Sequence, residues 1–198
     1  NRGIESVALA PDGASLYLIV QNPLANPNED AYKAERMTRL LQFDPATRKV
    51  IGEYVYLLDT PDTFRQDKSD KQNDVRLSEM TVTPAGELVV LERISKTTKL
   101  HRVSFDGATN ILGTPWDDTA TAPSLEQLSE ADLPGQGLAP VGKTLLFDSA
   151  DYDGLPAKIE GVTFVDDRTM LQINDDDFGI DGARTEIFRL PAPKDATN

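Results

Sequence analysis

The chain has 198 residues, no cysteine, one histidine and a net charge of −13 from 33 acidic and 20 basic side chains. That composition excludes disulfides, thiolate nucleophiles, Cys-ligated zinc and a multi-histidine metal site within one chain. It also makes nucleic acid and anionic membrane surfaces poor partners, whereas excess carboxylate suits solubility or a hard cation such as Ca2+. The length suits one domain, 1–198, and no apolar run approaches the roughly 18–20 residues of a membrane span. The chain starts at Asn1, inside its first repeat, and reads as a mature product or a fragment.

In chain order, strands are expected at 6–10 and 15–21 around Pro11-Asp12-Gly13, a sequence that favours tight reversal. A polar insertion follows over 22–36, with a helical turn near 29–36. A second hairpin, 39–44 with 50–58, surrounds Pro45-Ala46-Thr47-Arg48. The next repeat opens with strands at 79–83 and 87–94 around Pro84-Ala85-Gly86. Strand 100–105 is then expected to pair with 110–113 across Asp106-Gly107, followed by a long polar connection over 116–143 with a short helix at 124–133. A third repeat supplies strands at 161–165, 170–174 and 185–190 and no fourth.

Glu5, Glu79 and Glu160 each open such a repeat, dividing the chain into units of about 1–75, 76–157 and 158–198. Four antiparallel strands per repeat describe the blades of a β-propeller, with an antiparallel β-sandwich as the alternative. Inner strands covered on both faces account for the apolar runs 7–9 and 88–91. Three blades are too few for a ring, which typically needs 4–8. About half of a six-bladed ring is expected, closed by a missing N-terminal half or by a homodimer partner.

The ordered motifs are Gly3-Ile4-Glu5-Ser6-Val7-Ala8-Leu9-Ala10-Pro11-Asp12-Gly13, Asn22-Pro23-Leu24, Leu91-Glu92-Arg93, Lys158-Ile159-Glu160-Gly161 and Asn174-Asp175-Asp176-Asp177-Phe178-Gly179. Together they resemble the phytase-like family, described as having esterase-like activity of phytase. The resemblance covers essentially the whole chain and corresponds to the C-terminal half of the family domain. It implies a six-bladed propeller, a secreted or periplasmic location and a phosphoric monoester hydrolase activity. One departure is Asp176, where the family ending resembles Asp-Asn-Asp-Phe; the extra carboxylate bears on any cation site there.

Two readings of the repeat glutamates follow. In one, Glu5, Glu79 and Glu160 are catalytic groups or calcium ligands at a channel mouth, joined by Asp175 and Asp176, with Arg93 and Lys158 gripping an anionic phosphate ester. In the other they pair with Arg2, Arg76 and Lys158, and the chain is a non-catalytic propeller that binds a ligand or protein. Lys158 and Glu160, two apart in a strand, are expected on one side, and Glu92 and Arg93 on opposite sides. A non-EF oxygen site is open at Asp151 and Asp153, because Pro156 and the flanking strands argue against an EF-hand. His101 reads as structural. No nucleophile elbow, P-loop or dinucleotide fingerprint is present.

Overall fold

A computed structural model describes residues 3–182 and 184–193. Its described residues are all-β, in three antiparallel meanders. The first sheet runs β1 (Ile4–Leu9), β2 (Leu16–Val20), β3 (Met37–Asp44), β4 (Lys49–Leu57). The second runs β5 (Arg76–Val82), β6 (Leu88–Arg93), β7 (Thr98–Ser104), β8 (Gly142–Asp148). The third holds β9 (Ile159–Asp166), β10 (Thr169–Asn174) and β11 (Ile187–Pro191), in that spatial order. One short helix, α1 (Glu29–Ala34), lies in the first insertion, capped by the Asn28 side chain, which accepts from the Asp30 amide.

The sheets stack in chain order. Ile19, Leu40 and Tyr56 of the first pack on Leu77, Met80 and Val90 of the second. Val89, Leu91 and Leu100 on the other side of the second sheet pack on Ile159, Val162 and Met170 of the third. Every residue of β6 is therefore buried, as a strand covered on both faces requires. β1 differs from that expectation: Val7 and Leu9 are 51% and 55% exposed. They share their face with Leu18, Leu16, Leu41 and Phe43 through the strand register, and among the described residues no sheet covers it.

The leading strands lie side by side, β1 against β5 and β5 against β9. Ladder hydrogen bonds do not join β1 to β5, and a side chain replaces them. The buried Ser6 hydroxyl accepts from the Met80 amide at 2.8 Å and donates to Glu79 Oε1 at 2.5 Å.

The expected pairing of 100–105 with 110–113 is corrected. β7 pairs with β8, and the whole stretch between them is an insertion. Residues 110–113 dock on the first sheet instead. Asn110 Oδ1 accepts from the Glu53 amide at 3.0 Å, and the Ile111 amide donates to the Glu53 carbonyl at 2.8 Å. Ile111 is fully buried with Met37, Val55 and Leu125, and that burial outweighs a short hairpin. The helix expected at 124–133 is two 3-10 turns, Leu125–Gln127 and Glu130–Asp132, each opened by a serine capping box. Arg39 clamps the insertion, donating to Glu53 at 2.5 Å and to Glu126 at 2.9 Å.

Candidate functional site

Each leading strand is bulged near its start. The register skips Glu5 in β1, Ser78 in β5 and Glu160 in β9. Ser78, not Glu79, thus holds the place of Glu5 in its sheet. The turn prolines carry the signal: Glu5 and Ser78 each stand six residues before theirs, Pro11 and Pro84, whereas Glu79 stands five before. A bulge re-aims one side chain while the rest of the strand keeps its faces.

The three bulge residues gather around Arg93, which is 7% exposed. Its Nε donates to Ser78 Oγ at 2.8 Å, Nη1 donates to the Ile94 carbonyl at 2.8 Å, and Nη2 pairs with Glu160. Arg76 lies directly across the ladder from Arg93. Burial pushes the Glu5 carboxyl above the usual carboxylate range, and the nearby Glu160 adds to it, against Arg93, the Gln21 side chain and Arg76. Asp175 lies in the same electrostatic neighbourhood. Burial, with Arg76 adding to it, lowers the Arg93 guanidinium from its ordinary value, against Glu160, Asp175 and Glu5.

Glu79 is engaged one strand position further on, by Ser6 and by its own Met80 amide. Lys158 does not share a side with Glu160: its φ of +56° breaks the alternation, and its amine pairs with Asp177. Asp175 Oδ1 accepts from the Asp177 amide at 3.1 Å. Arg2, the expected partner of Glu5, lies outside the described residues. Asp151 pairs with Arg65 at 2.6 Å, which also holds Asp148 at 2.9 Å. A cleft of about 420 Å³ lies between Lys158, Asn174, Asp175, Asp177, Arg184 and Glu186.

Sequence reasoning missed a second cluster. Glu92, adjacent to Arg93, projects to the opposite side of β6, as strand alternation requires. There it meets Asp59, just after β4, together with His101 and Lys99 on β7 and Lys143 on β8. Glu92 is wholly buried and accepts from the Tyr56 hydroxyl at 2.7 Å and the Asp59 amide at 2.8 Å. Lys143 bridges both carboxylates, and Lys99 lies 2.9 Å from Asp59 Oδ2. Burial works to raise the Asp59 carboxyl, but His101 and Lys143 outweigh it and hold it well below the usual carboxylate range.

Asp59, Glu92 and His101 are the one three-ligand group among the described residues that could hold a metal, with ligand atoms within 4.8 Å of one another. An imidazole donor in that set suits a transition metal better than calcium. The lysine ammoniums already balance both carboxylates, so the folded arrangement leaves no net negative charge for a further dication. Glu5, Glu79, Glu160, Asp175 and Asp176 form no comparable group.

An all-β protein of stacked antiparallel meanders, two of four strands and one of three among the described residues, with an arginine-centred carboxylate cluster where the leading strands meet, is the class that fold and site define. Within it, residues 1–178 match the Phytase-like family, described as esterase-like activity of phytase, and the chain belongs to that family. It is also 32% identical over 98 residues to an "Uncharacterized secreted protein" of Arthroderma benhamiae. That match takes in 48% of this chain and 19% of the relative's length. No helix among the described residues is long and apolar enough to cross a membrane.

Proposed function

We propose that the chain forms part of a phytase-like phosphoester hydrolase acting on an anionic phosphate ester at the mouth formed by Glu5, Arg76, Ser78, Arg93 and Glu160. The carrying observation is the meeting, at one end of three adjacent strands, of two arginines with a carboxyl that burial raises above the usual carboxylate range. Family membership points the same way. A perturbed carboxyl beside cationic groups is a standard acid–base arrangement. In this reading water attacks the phosphorus and Glu5 protonates the departing alcohol oxygen as the ester P–O bond breaks, while Glu160 holds Arg93 and Asp175 stands in the field of Arg93. Lys158 and Glu79 act from the edges, since Asp177 and Ser6 already engage them.

Calcium belongs to the proposal as an added cation. With Glu160 committed to Arg93 and Glu5 carrying the proton, the carboxylates left to it are those of Asp175 and Asp176. When bound it would offset phosphate charge. The uncovered apolar face of the first sheet supports completion of a propeller ring by further blades, either the rest of a longer chain or a second copy. Export to a secreted or periplasmic location is part of the same reading; the name of the Arthroderma benhamiae relative supports secretion.

The test is turnover of phytate and of a chromogenic phosphate monoester by the intact protein, with calcium and with a chelator. Glu5→Gln is expected to lower kcat by about 10²–10⁴-fold with the fold intact. Wild-type turnover that is absent, or that ignores calcium, sinks the corresponding part of the proposal. A non-catalytic binding module is the second reading, favoured by the structural hydrogen bonds that Arg93 and Glu79 already make.

A further inference from the structure

The cations near the mouth differ in what their donors already do. Arg93 has Nε, Nη1 and Nη2 committed to Ser78, the Ile94 carbonyl and Glu160. Lys158 is committed to Asp177. Arg76 is half-buried, and its Nε is shielded from solvent without a hydrogen-bond partner. No hydrogen bond or ion pair joins its guanidinium to another described side chain, although it lies in the field of Glu5 and directly opposite Arg93.

Two like charges facing each other across a ladder are unfavourable. A shielded guanidinium nitrogen without an acceptor is costly as well. The repulsion falls when a tetrahedral oxyanion sits against Arg76, because a guanidinium fork matches two phosphate oxygens at once. We infer that Arg76, rather than Arg93 or Lys158, is the residue that grips the phosphoryl oxygens of the ligand. This assignment rests on the mouth being the substrate site and adds a binding residue to it. Arg93 is then a positioning residue: it fixes Ser78 and Glu160, and through them the shape of the mouth in which Arg76 stands. Three of the five N–H groups of its buried guanidinium already serve protein acceptors, whereas none of those of Arg76 is engaged by another described side chain.

The discriminating experiment measures binding of inorganic phosphate to the intact protein by calorimetry and 31P NMR, for wild type, Arg76→Met and Arg76→Lys, alongside ester turnover. Because the Arg76 side chain makes no hydrogen bond to another described side chain, Arg76→Met is expected to keep the wild-type unfolding midpoint while weakening phosphate roughly ten- to a hundredfold. Arg76→Lys, with charge but no fork, is expected to fall between. In turnover the loss is expected mainly in KM. Equal phosphate affinity in wild type and Arg76→Met overturns the assignment while leaving the hydrolase reading standing. Arg76-dependent phosphate binding without ester turnover upholds the assignment and sinks the hydrolase reading. Wild type that takes no phosphate overturns both.

Discussion

Removing the charge of Glu92 is the sharpest test of what holds the first two sheets together. The carboxylate accepts from the Tyr56 hydroxyl at 2.7 Å and from the Asp59 amide at 2.8 Å, and it pairs with Lys143. In Glu92→Gln one carboxylate oxygen becomes an NH2, so a donor is turned toward at least one of these three donors. The change also leaves one buried ammonium short of its counter-charge. Breaking a buried pair in this way costs about 3–5 kcal/mol. For a chain of this size that corresponds to a fall of about 10 °C in Tm. Lys143→Met is expected to destabilise comparably, since Asp59 and Glu92 then share Lys99 and His101 alone. The double variant is expected to lose less than the two singles together, with a coupling of at least ~1 kcal/mol in a urea-denaturation cycle. If Glu92→Gln stays within ~1 kcal/mol of wild type and the cycle shows no coupling, the cluster is not the lock between the sheets.

Two further outcomes follow from the same geometry. The Asp59 carboxyl is depressed in the folded protein, so its contribution to stability is present above the unfolded carboxylate value of about 3.9 and is lost as pH falls below it. Equilibrium unfolding from pH 6 down to 2 is expected to show an acid limb that Asp59→Asn flattens; an unchanged limb in that variant contradicts the ion-pair assignment. Ser6→Ala removes the hydroxyl that joins β1 to the Met80 amide and is expected to cost about 1 kcal/mol. Hydrogen exchange should then be faster in β1 than in β6; uniform protection would argue that apolar packing alone fixes β1.

The repeat was legible because its causes are local. Pro11-Asp12-Gly13 and Pro84-Ala85-Gly86 turn the chain by their own backbone preferences, and the apolar strands on either side need only pair with each other. Asp106-Gly107 also makes its turn, with Gly107 at a φ of +76°, yet the strand expected after it does not form there. The side chain of Ile111 found deeper burial on the first sheet, and β8 came from beyond the insertion to take the empty edge. A local signal can specify a reversal without specifying what pairs after it.

Alternation along β6 was enough to send Glu92 and Arg93 to opposite sides, and motif order was enough to indicate the family. What each side chain meets there was a tertiary decision. The bulges made Ser78 the counterpart of Glu5 and gave Glu160 to Arg93, because a one-residue insertion changes which side chain faces the shared end. Asp59, Glu92, His101, Lys99 and Lys143 come from two sheets, and no spacing along the chain announces them. Their charges are tolerable in the interior only because stacking brings opposite signs within hydrogen-bond reach, and that balance exists nowhere but in the folded protein.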